Sequence, residues 1–433
     1  MKITITGISH IGLAHAACFA EGGHEVTYFD EDEEKVKLLK SGKLPFYEPD
    51  VEEALKNNKS RIHYTTEMRE AYKSADFIIL ALPADINEDG SINMENTYKC
   101  VEEAAKQVEK DCIITIKSTV PIGTHEQAEQ LMKEQLVHNV RIEFVVNPDF
   151  IRLGDMVNDF FHASHIIIGV ETEFGEAMMR EAYKHLYIPF VIIHKRSAEL
   201  LKYAANGLMT VQNGFMHELA RLCEDSGTNI EDIARGLEQG HQIGKQFIQT
   251  NLGYGEVPYI KESQSLYYYS KLHEVDFGTL KAAVKTHEWQ KWRLLNKARK
   301  YYPDFKGVSI AMVGVSSKPG TGMLELAPAV DYIKALLKEG AIIKVWDPAI
   351  DQVKDIFAHT IMYGSSIKET IYDADICFIF TKWQDIQYFD VYDYAEYMKH
   401  PIVLDGVNCY SLCDIEEAGI VYESIGRKTI NGR

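Results

Sequence analysis

Positive charge is scarce in this 433-residue sequence. Its 46 lysines and arginines stand against 64 aspartates and glutamates, which gives a formal net charge of −18. A nucleic-acid-binding protein needs a basic surface that neutralises phosphates, and this composition does not provide one. An anionic small molecule can still bind where a local cluster of donors works against the overall field.

Long apolar runs and paired cysteines are also missing. No apolar segment reaches membrane-spanning length, and Met1 leads directly into the strand-like run KITITG, so neither a membrane helix nor a signal peptide is predicted. The seven cysteines are scattered and odd in number, which predicts reduced thiols in a cytoplasmic protein. Cys409 and Cys413 have C-x3-C spacing without a second ligand pair, so no metal site is predicted.

The order of strand-like and helix-like segments predicts an α/β protein. Hydrophobic residues make up 46% of the chain, and its length exceeds one ordinary core, so two or three globular domains are expected. Strand and helix patterns alternate through residues 1–196, helical patterns fill 197–302, and alternation returns in 303–433. The sequence therefore predicts two Rossmann-like parallel-sheet lobes joined by a long helical middle segment.

The first strand is followed by the turn GISHIG, which contains Gly7, Ser9 and Gly12. A dinucleotide-binding turn has three glycines, and Ser9 stands at the second of these positions. The turn still opens a helix whose N-terminal amides suit a phosphate, and Asp30 ends the second strand. This arrangement favours NAD over NADP. The alternative is an ordinary tight turn with a surface acid.

Three further segments carry candidate functional residues. KSTVPIG at 117–123 places Ser118 and Thr119 after a strand, although a capping turn explains these hydroxyls equally well. One face of the long middle helix carries a polar stripe with a single charge, and a solvated amphipathic face is the alternative. The members of this stripe are Lys202, Asn206, Thr210, Asn213 and His217. The loop NLGYGEVPYIKES permits close backbone approach to a ligand, or simply connects two helices.

Taken in order, the segments resemble the UDP-glucose/GDP-mannose dehydrogenase family along nearly the whole chain. The fragments that carry the resemblance are GISHIGL with Asp30, PFYEP at 45–49, EDGS at 88–91, KSTVPIGT at 117–124, NPDFIR at 147–152, ELLKYAAN at 199–206, GYG at 253–255, SKPGT at 317–321, EGAIIKVWDP at 339–348 and LDGVN at 404–408. The resemblance implies an NAD-dependent enzyme that oxidises the C6 alcohol of a nucleotide sugar to a carboxylate. It also implies NAD in the first lobe, a nucleotide in the last lobe and a homodimer formed through the middle helix.

The resemblance assigns roles residue by residue. Catalytic roles fall on Thr119, Asp149 (where the family has glutamate), Lys202, Asn206 and Lys261. Cofactor contacts fall on Gly7, Ser9, Ile11, Gly12, Asp30, Pro83 and Thr119. Substrate contacts fall on Phe150, Arg152, Gly253, Tyr254, Gly255 and Lys318.

Departures from the family pattern change the expected reaction. Pro258 occupies the position of the nucleophilic cysteine, and a proline cannot form the thiohemiacetal that leads to an acid. Other family positions are also altered: Leu153 replaces an acid, while Gln242, Glu325 and Val407 replace arginines. We therefore expect a single two-electron oxidation. The alternative is an impaired pseudoenzyme that binds NAD or a nucleotide sugar; an acid-forming enzyme would need a replacement nucleophile.

Overall fold

The fold is described from a computed structural model, which covers residues 1–83, 85–87, 89–238, 252, 257–325 and 327–432, with the backbone alone at 85–86 and 257–261. The chain divides into two compact units. The first unit contains Met1–Ala205 and Gln264–Val275, and the second contains Asn206–Ser263 and Asp276–Arg433.

The first part of the chain alternates strands and helices. Its strands are β1 Lys2–Thr6, β2 Glu25–Phe29, β3 Ile62–Thr65, β4 Phe77–Leu80, β5 Asp85–Ile86, β6 Ile92–Asn93, β7 Cys112–Ile116, β8 Ile142–Phe144, β9 Ile166–Gly169 and β10 Phe190–Ile193. Its helices are α1 His10–Glu21, α2 Glu33–Lys40, α3 Pro49–Asn57, α4 Met68–Tyr72, α5 Glu95–Ala105, α6 Thr124–Gln135, α7 Met156–Phe161 and α8 Glu173–Tyr183, with 3-10 turns at Lys59–Arg61 and Lys184–Leu186.

Helices dominate the middle of the chain, and alternation then returns. The helices are α9 Lys195–Ser226, α10 Ile230–Glu238, α11 Val257–Leu272, α12 Gly278–Lys291, α13 Arg293–Ala298, α14 Pro328–Lys338, α15 Ile350–Phe357, α16 Ile367–Ile371, α17 Gln384–Gln387, α18 Val391–Tyr397 and α19 Leu412–Ala418. The strands are β11 Ser309–Val313, β12 Ile342–Trp346, β13 Met362–Tyr363, β14 Ile376–Ile379, β15 Ile402–Asp405 and β16 Val421–Glu423.

Two six-stranded parallel sheets share one topology, and they confirm the predicted fold class. The first sheet has the order β3-β2-β1-β4-β7-β8, and the second has the order β13-β12-β11-β14-β15-β16. The strands β4 and β7 are buried along their whole length, as expected when helices cover both faces of a parallel sheet. In each sheet the order reverses beside the first strand, which is where open α/β sheets bind ligands at the carboxyl ends of their strands.

The long helix α9 has an unusual distribution of polarity. Asn206, Thr210 and His217 of the polar stripe are buried, so this part of the stripe is not solvated. Leu208, Phe215 and Leu222 on the same helix are each 60% exposed. A helix on the surface of a monomer normally shows the opposite pattern. Among the described residues, no helix is both long enough and apolar enough to cross a membrane.

Candidate active site

Predicted cofactor residues of the first unit, and the predicted catalytic residue Asp149, come after the carboxyl ends of parallel strands. Gly7 follows β1, Asp30 follows β2, and Pro83 comes shortly after β4. Thr119 comes after β7, and Asp149 after β8. Because these strands are parallel members of one sheet, all five residues follow strand ends at the same edge, and the strand order reverses between β1 and β4.

The turn between β1 and α1 shows how Ser9 serves in place of a glycine. Gly7 has a φ of +94°, a conformation that disfavours a side chain, and its carbonyl accepts a hydrogen bond from the Tyr28 hydroxyl at 2.8 Å. The Ser9 hydroxyl accepts from the Gly12 amide at 3.1 Å and donates to the Ala81 carbonyl at 2.8 Å. Ser9 is therefore the N-cap of α1. A Cβ atom on Gly12 would lie 2.7 Å from the Tyr28 hydroxyl, so a larger residue does not fit there.

Asp30 and Asp347 end the second strands of their respective sheets, but only Asp30 keeps an accessible carboxylate. Asp30 accepts hydrogen bonds from the amides of Ile8 and Asp32, each at 2.9 Å, and is half-buried. Asp347 is 2% exposed. Its carboxylate accepts hydrogen bonds from the amides of Val315 and Ser316, from the Ser316 hydroxyl and from the Trp383 indole. The accessible carboxylate and the Gly7 turn of the first lobe fit a ribose hydroxyl and a pyrophosphate.

The first unit brings Lys202 and Asp149 together. The Lys202 ammonium donates a hydrogen bond to the main-chain oxygen of Asp149. The Asp149 side chain is 9% exposed, and its Oδ2 lies 3.4 Å from Nε2 of the buried His15. Burial acts to raise the pKa of Asp149, but His15, Lys117 and Lys202 together outweigh it and lower that pKa. Asp149 is therefore held as a carboxylate close to the ammonium groups of Lys117 and Lys202.

Sequence reasoning missed two members of this cluster. Lys117 is half-buried and donates to the side-chain and main-chain oxygens of Asn147, at 2.7 and 3.2 Å. Burial lowers the pKa of Lys117 to about 8. Its position after a buried strand, in KSTVPIG, is a signal in the sequence, although the hydroxyls that follow it are the more obvious candidates. His15 gave no signal, because a single histidine in the apolar run IGLAHAACFA is typical of a core residue.

The loop that carries Thr119 is fixed from two sides. The Ser118 hydroxyl donates to the carbonyl of Leu82, next to the exposed Pro83. The Tyr203 hydroxyl of α9 donates to the carbonyl of Val120 at 3.0 Å. Thr119 is half-buried between these two anchors. The loops after β4 and β7 are thus joined to each other and to α9.

In the second unit, the predicted catalytic residue Asn206 contacts α11. Its side-chain amide donates a hydrogen bond to the carboxylate of Glu262, and both residues are buried. One turn further along, the hydroxyls of Thr210 and Ser263 lie 2.7 Å apart. These two residues of the polar stripe of α9 therefore meet polar side chains of α11 and not solvent.

The remaining candidate residues and altered positions fall into four groups. Phe150 is 43% exposed, and its ring lies 5.3 Å from the Lys202 ammonium. Arg152 is engaged within its own unit, with its Nε 2.8 Å from Asp159 and its terminal nitrogen 3.0 Å from Asp155. Lys318 is half-buried at the end of the first turn of the second lobe. The last group lies outside the residues whose side chains are described: Gly253, Tyr254, Gly255, Lys261, Gln242 and Pro258.

All seven cysteines are free thiols. Burial raises the pKa of Cys100 to about 11 and that of Cys112 to about 12. Burial also raises the pKa of Cys18, Cys377 and Cys409. A raised pKa keeps a thiol protonated at neutral pH, and a protonated thiol is a poor nucleophile.

Family models match three successive parts of the chain. The NAD-binding domain of the UDP-glucose/GDP-mannose dehydrogenase family matches residues 1–187, its central domain matches 196–289, and its UDP-binding domain matches 311–412. The NAD-binding domain identifies NAD as the cofactor. The UDP-binding domain indicates that the substrate is a nucleotide sugar.

Individual proteins agree with the family models. The UDP-glucose 6-dehydrogenase YwqF of Bacillus subtilis is 33% identical, over 99% of this chain and 98% of its own length. The UDP-glucose 6-dehydrogenase of Pseudomonas aeruginosa is 30% identical, over 99% and 98% of the two chains. The solved structure of a UDP-glucose dehydrogenase from Pyrobaculum islandicum shares the fold, with a TM-score of 0.89, 24% identity and coverage of 98% and 96%. From these matches and the geometry of its first lobe, the chain belongs to the UDP-glucose/GDP-mannose dehydrogenase family, whose members are NAD-dependent and act on CH–OH groups.

Proposed function

We propose that this protein is an active NAD-dependent nucleotide-sugar dehydrogenase, similar to UDP-glucose 6-dehydrogenase, that performs one two-electron oxidation and releases a carbonyl product. The contact between the Lys202 ammonium and the main-chain oxygen of Asp149 carries this proposal. It joins two residues that the sequence assigned to catalysis, and Asn206 follows Lys202 by one turn of α9. An inactive relative would have no need to keep a cation and a buried carboxylate together at the edge of the cofactor sheet.

The roles of the side chains follow from their chemistry. Lys202 and Asn206 stabilise the alkoxide that develops on the substrate, because an ammonium and an amide N–H both donate to an oxyanion. Thr119 orders a water molecule, and Asp149 receives the hydroxyl proton through that water. Bound NAD+ supplies the hydride acceptor, and Gly7, Ser9 and Asp30 hold it.

The proposed stop at a carbonyl rests on the missing thiol. Pro258 is the second residue of α11, and a proline is tolerated in the first turn of a helix, where its missing N–H costs no intrahelical bond. The raised pKa values of five cysteines argue against a thiolate from elsewhere in the chain. Without covalent capture, further oxidation would depend on unassisted hydration of the aldehyde.

The domain organisation and assembly belong to the same proposal. It comprises an NAD-binding domain at 1–196, a helical dimerisation domain at 197–302 and a nucleotide-sugar domain at 303–433, in a cytoplasmic homodimer. The limits of the three matching family models support this division. The exposed Leu208, Phe215 and Leu222 support a dimer through α9, because they repeat every seven residues and leave an apolar row on one side of the helix.

A second candidate function is a pseudoenzyme that binds NAD or a nucleotide sugar without turnover. Two observations favour it. The Arg152 guanidinium is held by Asp155 and Asp159, which leaves less of it for a substrate. At positions where the family has arginine, the second lobe has the exposed Glu325 and the half-buried Val407. The loss of guanidinium groups weakens the binding of a diphosphate.

One experiment separates these functions. The protein is incubated with NAD+ and a panel of nucleotide sugars, NADH is followed by absorbance, and the product is identified by mass spectrometry. We expect one NADH per substrate and a carbonyl product. Two NADH with a uronic acid would refute the single oxidation, and cofactor binding without turnover on any sugar would support the pseudoenzyme.

The variant Pro258→Cys extends the same assay. If the missing thiol is the only obstacle to the second oxidation, this variant forms a covalent substrate adduct and raises the yield toward two NADH per substrate. Pro258→Ser is the matched control, because it removes the ring without adding a thiol, and it should keep a yield of one.

A further inference from the structure

The ring of His15 has a defined tautomer. Its Nδ1 lies 2.8 Å from the main-chain oxygen of Ile11, one turn earlier in α1. A carbonyl oxygen can only accept a hydrogen bond, so Nδ1 must carry the hydrogen. In the neutral ring, Nε2 then has a lone pair and no hydrogen. This Nε2 faces Oδ2 of Asp149 at 3.4 Å.

The two facing atoms are therefore both acceptors. Oδ1 of Asp149 accepts from the Ile151 amide at 3.1 Å, while its buried Oδ2 has no hydrogen-bond partner in the described part of the chain. The distance of 3.4 Å between Nε2 and Oδ2 is longer than a normal hydrogen bond. A proton placed between them would be bound by both atoms, and it would replace a repulsion between two lone pairs with a charge-assisted hydrogen bond.

The surroundings of this pair keep it free of a proton at rest. Lys117 at the end of β7 and Lys202 on α9 both lower the pKa of Asp149, and burial lowers the pKa of His15 to about 4. The other titratable groups close to Asp149 are the Cys18 thiol of α1 and the Tyr183 hydroxyl of α8. Burial raises the pKa of both, so both stay neutral. The pair of His15 and Asp149 thus has no proton between its facing atoms, and it includes the candidate catalytic residue Asp149.

We propose that His15 and Asp149 act as one proton acceptor, which takes up the proton that leaves the substrate alcohol during its oxidation. In this step the C–H bond gives its hydride to NAD+, the O–H bond gives its proton through water to Asp149, and the carbonyl double bond forms. His15 is a positioning residue, because it acts through Asp149 by sharing the proton at Oδ2. This inference deepens the proposed function and rests on it.

The contact with His15 also explains how Asp149, which is shorter than a glutamate, can act as the proton acceptor. Asp149 stands where the family has glutamate, and its shorter side chain leaves Oδ2 enclosed beside His15. Proton transfer to this oxygen produces a species stabilised by the imidazole, so the proton need not return at once to the product. The two groups are expected to titrate as a coupled pair.

The first test uses kinetics. His15→Gln should lower the rate of NADH formation about tenfold and move the acid limb of the kcat/KM profile by about one pH unit, with the Kd for NAD+ unchanged. His24→Gln is the matched control, since His24 is also buried in the first unit and its Nε2 bonds the Ala182 carbonyl at 2.9 Å. The control should change thermal stability but not the pH profile. Equal pH profiles for the two variants would reduce His15 to a structural role and overturn the inference.

The second test needs no turnover. The His15 ring is titrated by NMR in the wild type and in Asp149→Asn, each saturated with NAD+. Removing the carboxylate should lower the pH at which the His15 signals shift, because the negative charge that favours its protonation is gone. If the His15 signals shift at the same pH in the wild type and in Asp149→Asn, the coupled pair is refuted, whatever the activity of the enzyme. Conversely, a wild type that shows the coupling but oxidises no nucleotide sugar would refute the proposed function.

Discussion

The carboxylate of Glu199 on α9 holds His125 at the start of α6, with 2.7 Å between Oε1 and the ring Nδ1. The Ile116 amide donates to Nε2 of the same ring at 3.3 Å, so Nδ1 carries the hydrogen and donates to Glu199. The same carboxylate oxygen also accepts from the His125 amide at 3.0 Å, and the other accepts from the Gly123 amide. This buried junction fixes the far end of the loop that carries Thr119.

Replacing Glu199 should destabilise the protein and disturb this loop. We expect Glu199→Ala to lower the free energy of unfolding by about 3 kcal/mol, because it leaves buried N–H groups without an acceptor. Glu126→Ala is the control, since Glu126 pairs with the exposed Arg196 and should cost less than about 1 kcal/mol. Urea denaturation measures both values. Equal losses of unfolding free energy in Glu199→Ala and Glu126→Ala would mean that the buried contacts of Glu199 do not stabilise the protein more than an exposed ion pair does.

Asn206→Asp tests the buried contact between α9 and α11. The variant places a second carboxylate against Glu262, so we expect a loss of about 2 kcal/mol at neutral pH. The new carboxyl group should have a raised folded pKa, and therefore stability should recover as the pH falls and the group takes a proton. Asn213→Asp on the same helix is the control. Denaturation midpoints at pH 5 and pH 8 give the result, and a loss that does not depend on pH would contradict it.

Because of the buried His287, we expect the folding stability of the second unit to decrease in acid. Burial first, then His217 and Lys291, lower the pKa of His287 from 6.5 to about 3. The unfolded chain therefore binds a proton below pH 6.5 that the folded chain does not, and stability falls as the pH drops from 6.5 towards 3.

The variant His287→Gln should remove this contribution, which amounts to about 1.4 kcal/mol for each pH unit within that window. His138→Gln is the matched control, because His138 is exposed. Denaturant unfolding between pH 4 and pH 8 measures the slope for each protein. A slope that is the same in the wild type and in His287→Gln would exclude His287 as its source.

The apolar row on α9 predicts the oligomeric state. Leu208, Phe215 and Leu222 are each 60% exposed in the single chain, and a dimer through α9 would cover them. The double variant Leu208→Glu with Phe215→Glu should halve the mass measured by analytical ultracentrifugation, because it buries charges in the interface. Tyr388→Glu, at a tyrosine that is 80% exposed, should leave the mass unchanged. A wild-type protein that sediments as a monomer would contradict the dimer.

The sequence by itself determined the local features of this protein. The buried strand runs, the turn around Gly7, Asp30 at the end of β2 and the polar stripe of α9 can all be read from neighbouring residues, because strand and helix periodicities are local properties. Family fragments then gave roles to Lys202, Asn206 and Asp149, although no contact between them was visible in the sequence.

Only the tertiary structure decided which features meet and which face the solvent. Periodicity predicts that Asn206 and Leu208 lie on different faces of α9, but packing decided that Asn206 is buried and Leu208 is exposed. His15 looked like an ordinary core residue until the fold placed it beside Asp149. Such pairs form between residues far apart in sequence, and their chemistry depends on ångström distances and burial that no local pattern encodes.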